Sequence, residues 1–172
     1  MALSVFINTY IFCNHLGQLL YNLALKQKAV QSSTSGTVGI AGKAVDGNRD
    51  TNYQRCCTHT SEDLDPWWRV DLLAVYKVSA VTIINRQDAV IERILGAQIL
   101  IGNSLEQNGN QNPSCGMIKS LDGTPTYTFQ CNEMEGRYII VIIPGTKRYM
   151  TLCEVEVFAS LSVLLLKPLN ES

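Results

Sequence analysis

The sequence predicts an all-β chain, an antiparallel β-sandwich, and three observations carry that expectation. Short runs rich in Val, Ile, Thr and Tyr recur, turn residues separate them, and residues 22–158 hold no long stretch of helical periodicity. The runs are Val78 to Ile84, Ala97 to Ile101, Thr126 to Phe129, Tyr138 to Ile143 and Glu154 to Phe158. Their β-branched and aromatic side chains suit a pleated, half-buried surface. Between them, Asp46-Gly47-Asn48, Asn108-Gly109-Asn110, Asp122-Gly123-Thr124-Pro125 and Pro144-Gly145 supply residues that tolerate positive φ or preset a bend. Residues 138–143 are apolar without alternation, so that strand is expected to be covered on both faces. Residues 154–158 alternate, so Val155 and Val157 should face a core while Glu154 and Glu156 face outward.

Composition narrows the function. A chain of 172 residues, 46% hydrophobic, can close one substantial core, so a single domain is expected. Fourteen basic against fifteen acidic side chains leave a net charge of −1, which offers no general attraction to nucleic acid or an acidic membrane. Binding must therefore come from a local site. No apolar run approaches the roughly 20 residues that cross a bilayer, so no membrane insertion is expected. The six cysteines, Cys13, Cys56, Cys57, Cys115, Cys131 and Cys153, form no CxxC pair and have no histidine cluster beside them. They read as disulfide formers rather than metal ligands, which points to a secreted, extracellular protein.

The two ends differ from the middle. Residues 1–21 form a leader whose apolar stretches could serve as a secretion signal, although Asn8 and Asn14 interrupt them and no positive charge precedes them. Residues 159–172 form a tail with a six-residue apolar patch, too short to span a membrane, and end on the glycosylation pattern Asn170-Glu171-Ser172.

Charged and aromatic residues carry more about function than the fold does. Trp67 and Trp68 sit beside Arg69 and Asp71, where tryptophans are expected to plug the sandwich and Arg69 to pair with Asp71. Downstream, Arg86, Asp88 and Arg93 follow an apolar strand, an arrangement in which Asp88 can hold guanidinium groups in fixed orientation. His59 lies upstream, with 26 residues between it and Arg86.

That pattern, His59, 26 residues, Arg86-x-Asp88, four residues and Arg93, resembles the signature of the F-type lectin, or fucolectin, family. The surroundings agree: Asn22-Leu23-Ala24 resembles the family's domain opening, residues 45–50 its calcium loop, residues 66–72 the strand before its site, and residues 152–157 its closing strand. The resemblance covers residues 22–158 and implies a discoidin-like jelly roll of about eight strands. It also implies that His59, Arg86 and Arg93 hydrogen-bond α-L-fucose, with Asp88 orienting the arginines and Tyr53 walling the sugar's methyl group. Where many members carry adjacent cysteines against the sugar, this chain has Ala89 and Val90, so the apolar wall keeps its place and changes its shape.

The resemblance further implies disulfides Cys57–Cys153 and Cys115–Cys131; the cysteines alone leave every pairing open. A calcium ion is implied on the carboxylates of Asp46 and Glu154 and the carbonyls of Lys43, Asn48, Cys56 and Cys153, an oxygen set suited to a hard cation. Cys56 stands where the family offers a hydroxyl, and a thiol is a poor calcium ligand, so only its carbonyl counts. Family membership implies fucosylated glycans as partners, display as a homo-oligomer (a trimer) and a role in innate immune recognition. The other reading is a discoidin-like adhesion module that binds protein or lipid through its loop tips. An enzyme is not expected, because glycoside hydrolysis commonly needs two flanking carboxylates and this pattern supplies one, Asp88.

Overall fold

The computed structural model describes residues 11–13 and 19–161, and ten strands lie among them. β1 (Ile11–Cys13) pairs with β2 (Leu19–Tyr21), and β4 (Asp63–Leu64) pairs with β9 (Lys147–Arg148). The body is one antiparallel sheet of β3 (Ala29–Gln31), β5 (Trp67–Ile84), β6 (Gln98–Gly102), β7 (Ser114–Met117), β8 (Thr126–Ile142) and β10 (Glu154–Leu161). Its order is β10-β5-β8-β6-β7, with β3 also on β5. Helix is confined to the four-residue α1 (Tyr53–Cys56) and three short 3-10 turns among the described residues.

A bend turns this one sheet into a sandwich. β5 and β8 run for 18 and 17 residues, and their ladder breaks between Asp71 and Tyr76, where Leu73 adopts φ 68°. One side of the break pairs with β3 and β6, the other with β10. The two layers share a core in which Trp68, Val70, Ile139 and Val141 meet Val78, Ile83, Val155 and Val157. The strand expected over residues 78–84 thus extends back to Trp67, because Trp68, Val70 and Leu72 are buried in alternation with half-buried Trp67, Arg69 and Asp71. Residues 138–143 are covered on both faces as expected. Ile139, Val141 and Ile143 enter the main core, while Ile140 and Ile142 join Leu100, Trp67 and Tyr138 in a second cluster.

Two expectations are corrected here. Asp71 pairs with Arg137 through two 2.8 Å bonds, not with Arg69, whose guanidinium lies 5.1 Å from the Trp67 ring and 5.7 Å from that of Tyr138. Register explains the exchange, because Asp71 lies across the ladder from Tyr138, beside Arg137, whereas its neighbour Arg69 can reach aromatic faces. Glu154 and Glu156 do not face outward: their exposure is 0% and 2%. Residues 46–50 cover that face of β10, where Gly47 N donates to Glu154 Oε1 and Arg49 lies 3.4 Å from Glu156 Oε1.

Trp68 plugs the core as expected, its indole N–H donating to Ala41 O at 2.9 Å. The two disulfides implied above, Cys57–Cys153 and Cys115–Cys131, are both formed, and Cys56 is a buried free thiol. β2 leads into Asn22, which bridges Phe158. The rest of the leader, the Cys13 thiol, the apolar patch of the tail beyond Leu161 and the Asn170 pattern lie outside the described residues. No helix among the described residues is long and apolar enough to cross a membrane.

Candidate functional site

Three chain segments meet at one end of the sandwich. The first is residues 58–60, which run beside residues 150–152 through Thr58 N to Leu152 O (2.7 Å) and Thr60 N to Met150 O (3.0 Å). The hydroxyls of Thr58 and Thr60 accept from Leu152 N and Met150 N, so both threonines point inward and are buried. Alternation then turns the intervening His59 outward. Gly39 fixes its depth: His59 N donates to Gly39 O at 2.9 Å, and a Cβ at Gly39 would stand 2.6 Å from His59 Cβ and 2.7 Å from its backbone nitrogen. Gly39→Ala is therefore expected to shift the His59 imidazole resonances in NMR spectra and to cost about 1–3 kcal/mol in chemical denaturation. Unchanged resonances and stability would contradict this packing.

The second segment is residues 85–94. Asn85 is buried and its side-chain amide donates to Ile91 O at 2.9 Å, closing a loop that carries Arg86 and Asp88. Arg86 donates from Nε and Nη2 to the two Asp88 oxygens, both at 2.8 Å, and Asp88 also accepts from Tyr53 N at 3.1 Å. The Arg86 guanidinium beside it holds the Asp88 carboxyl down at about 2, so this clamp stays charged at any ordinary pH. Val90, at φ 49°, leads into the 3-10 turn Ile91–Ile94, whose Ile94 is fully buried and so anchors Arg93.

The third segment is α1, which begins at Tyr53. A run of Asx turns reaches it: Asp46, Asn48, Asp50 and Asn52 each accept from the backbone N–H two residues on, at 2.8–3.2 Å. Tyr53 stands edge-on to His59, ring centroids 4.9 Å apart, and the Arg86 guanidinium lies 4.8 Å from its centroid.

His59, Arg86, Arg93 and Tyr53 are thereby brought together. Arg93 Nη1 lies 3.0 Å from His59 Nε2, and since an arginine can only donate, the imidazole is neutral with its proton on Nδ1. Burial, then Arg93, then Arg86 lower the His59 pKa below the ordinary 6.5. Asp88, expected to orient both arginines, holds Arg86 alone; Arg93 is held by His59 and by the Tyr149 ring, 4.7 Å from its guanidinium. Tyr149, whose ring is 5.5 Å from that of His59, was not anticipated. Its only signal in sequence is an aromatic residue shortly before the closing strand. Ala89 is exposed and Val90 half-buried beside this cluster in the chain.

Comparison with known proteins follows from this geometry. Residues 43–141 match the model of the NedA-like, galactose-binding domain of the F5/F8 type C group. Fucolectin-1 of Anguilla japonica is 49% identical over 148 residues, covering 83% of each chain. The chain belongs to the F-type lectin, or fucolectin, family. Among solved structures, the F-type lectin of striped bass (Morone saxatilis) serum is 50% identical with TM-score 0.77, over 81% of this chain and 47% of that one. This F-type lectin chain thus spans just under half of the striped bass chain. A fucose binding module of Streptococcus pneumoniae is 31% identical with TM-score 0.72, over 82% of this chain and 96% of its own.

Of the calcium set implied for an F-type lectin, Asp46 and Glu154 lie where the loop at residues 46–50 meets β10. Glu154 is fully buried, one oxygen accepting from Gly47 N and the other, Oε2, without any partner. Burial above all, with Asp46 and Glu156 adding negative charge, pushes its carboxyl up to about 8. Gly47 reaches Glu154 at φ 86°, which places the Asp46 loop against the closing strand. An orphaned buried carboxylate beside a second acidic side chain is the donor set that a hard cation would satisfy. The Cys56 thiol, pushed up to about 11 chiefly by burial, donates to Asp50 O and, at 3.1 Å, to Asn52 O.

Proposed function

We propose that this chain is a secreted, non-catalytic lectin that recognises terminal L-fucose on glycans, and that a calcium ion stiffens the loop beside its site. The observation that carries the reading is the meeting of His59, Arg93, Arg86 and Tyr53 from three segments of chain. Fucosylated glycans are the partners that the names of its relatives support, display as a homo-oligomer would multiply a modest affinity, and innate recognition of surface sugars is the setting that suits such a lectin.

A deoxyhexose offers neighbouring hydroxyls, a ring oxygen and one methyl group. Clamped by Asp88 through Nε and Nη2, Arg86 keeps Nη1 for the sugar, and Arg93 keeps the donors not turned to His59. Neutral His59, its Nε2 taken by Arg93, keeps the Nδ1 proton to donate to a hydroxyl, while Tyr53, Ala89 and Val90 supply the apolar wall. Each charge-assisted bond contributes about 1.5–3 kcal/mol, so two arginines support a weak to moderate affinity for one sugar. In the proposed calcium site, Asp46 and Glu154 give carboxylates, and Lys43, Asn48, Cys56 and Cys153 give carbonyls. The ion would neutralise the buried Glu154 and tie the Asx-turn run to β10.

The test is retention on immobilised L-fucose, competed by free L-fucose, before and after exhaustive chelation. Retention with competition is expected in calcium; chelation should lower the melting temperature and weaken retention. Indifference to free L-fucose would return the protein to the adhesion-module reading, and indifference to chelator would remove the ion alone.

Acid should weaken binding through His59. Its pKa in the folded site is depressed below 6.5, so the neutral form contributes fully above that pH. As pH falls through the depressed value, the imidazole gains a charge facing Arg93 and Arg86, and the Arg93 bond is lost. Asp88 stays ionised between pH 8 and pH 4, so among the side chains that face the sugar His59 is expected to carry the loss in titration calorimetry, while Glu154, at about 8, titrates in the same window at the proposed calcium site. A His59→Asn variant that keeps the same pH profile would refute that assignment.

A further inference from the structure

Arg69 is the charge that the β5–β8 register leaves over. Asp71 gives both oxygens to Arg137, and among the described residues the Arg69 guanidinium forms no hydrogen bond or ion pair. It lies half-buried over the Trp67 and Tyr138 rings, 5.1 and 5.7 Å from their centroids. Contact with a ring occupies the face of a guanidinium and leaves the N–H donors along its edge. These donors are partly removed from water and have no acceptor in the chain, which is the state that a bound acceptor relieves. They belong to the wall of a cavity of about 180 Å³ lined by Lys28, Val30, Arg69, Asp71, Leu105 and Tyr138. Strand pairing puts these side chains on one face. Val30 lies opposite Arg69 and Asp71 opposite Tyr138, while Lys28 O accepts from Asp71 N at 3.1 Å. Arg69 and Asp71 alternate with buried Trp68, Val70 and Leu72, so the cavity opens on the outer face of the sheet, away from the main core. It shares no residue with the His59 cluster. Exposed Lys28 is the diagonal neighbour of Arg69 across the β3–β5 ladder, a backbone separation of about 7–8 Å that two long cationic side chains can close on one small group. Asp71 is the acidic side chain of the lining, and Arg137 already balances it, so Lys28 and Arg69 leave the walls with a positive surplus.

We propose that this cavity binds a tetrahedral oxyanion, a sulfate group, with the edge of Arg69 as its fork and the Lys28 ammonium as its second contact. The site stands independently of the fucose reading. A guanidinium edge matches two oxygens of such an anion, and an ammonium adds a point charge. Val30, Leu105 and the Tyr138 ring line the rest, and their apolar surface weakens solvent screening around the charges. The volume lies below the roughly 300–1,000 Å³ of pockets for drug-sized ligands, which suits the anion itself or one sugar ring that carries it as an ester.

The two tryptophans report on the site separately, because Trp67 lies against Arg69 whereas the Trp68 indole is buried and donates to Ala41 O. The full chain is titrated with sodium sulfate, with a sulfated galactose and with galactose, against sodium chloride at equal ionic strength so that general screening is matched. Both sulfates should shift the Trp67 indole N–H resonance in the millimolar range and leave that of Trp68 in place, while galactose and chloride shift neither. Arg69→Gln should weaken both sulfates about ten-fold, the equivalent of one charge-assisted hydrogen bond. Lys28→Gln, at an exposed position, should weaken them with the melting temperature unchanged, and it decides alone if Arg69→Gln does not fold. Tighter binding of the sulfated galactose than of inorganic sulfate identifies the anion as an ester on a sugar, equal binding identifies the free anion, and either supports the site. A Trp67 shift that chloride reproduces, or sulfate binding of native strength in the folded variants, overturns it.

Discussion

Arg86→Ala is expected to abolish retention on immobilised L-fucose while leaving the fold intact. The guanidinium is the one cation of the site whose direction is set by a carboxylate, through paired 2.8 Å bonds to Asp88. Losing its bond to the sugar removes about 1.5–3 kcal/mol, a roughly ten- to hundred-fold loss, which takes a weak single-site affinity below what a column retains. Stability should hardly change, because Asp88 keeps its bond from Tyr53 N and lies near solvent, where such a pair contributes about 1 kcal/mol or less. Arg86→Lys separates charge from shape. It keeps the cation and loses the planar fork, so it should fail to restore retention; recovery with lysine would mean that the site attracts by charge alone. Circular dichroism and the melting temperature are the controls, and a collapse of either in Arg86→Ala would make the loss of retention a folding effect.

The parts of this architecture legible in sequence are those in which local chemistry and final environment agree. The unbroken apolar run at residues 138–143 announces a strand covered twice, and it is. The spacing of His59, Arg86, Asp88 and Arg93 has meaning through its resemblance to the F-type lectin signature, and the structure brings these residues into one cluster. Other features depend on where the chain returns in space. Glu154 and Glu156 alternate with valines as surface residues do, and they are buried only because the loop at residues 46–50 comes back over them. That loop carried its own pattern, an Asp or Asn at every second position from 46 to 52, whose meaning as successive Asx turns needs backbone geometry to read. Arg69 and Arg137 are equivalent in composition, and only the β5–β8 register selects Arg137 for Asp71. Tyr149 reaches His59 because residues 150–152 run beside residues 58–60, a pairing across most of the chain that leaves no local trace.

Cys153→Ser is expected to cost the largest share of stability of any single change proposed. The Cys57–Cys153 disulfide closes a separation of 96 residues and Cys115–Cys131 one of 16. In the chain-entropy account such loops are worth about 4.7 and about 3 kcal/mol, against a total stability of roughly 5–15 kcal/mol for a domain. The longer link also sits between functional parts, since Cys57 precedes Thr58 and His59 while Cys153 precedes the buried Glu154. Its loss should therefore lower the melting temperature by roughly 10–20 °C and weaken fucose retention together. Cys57→Ser should be milder. The sulfurs of Cys56, Cys57 and Cys153 all lie within 4.8 Å of one another, so Cys56 can take over the link to Cys153 when Cys57 is gone. In the native protein burial pushes the same thiol up to about 11, which leaves little thiolate to attack the neighbouring disulfide. Thiol counting by mass spectrometry reads the difference: Cys57→Ser should show Cys56 oxidised, and Cys153→Ser should show Cys56 and Cys57 unlinked to the closing strand. Equal melting temperatures for the two variants would mean that Cys56 cannot substitute, and a Cys153→Ser protein as stable as the native one would deny the disulfide any part in holding the site on its sandwich.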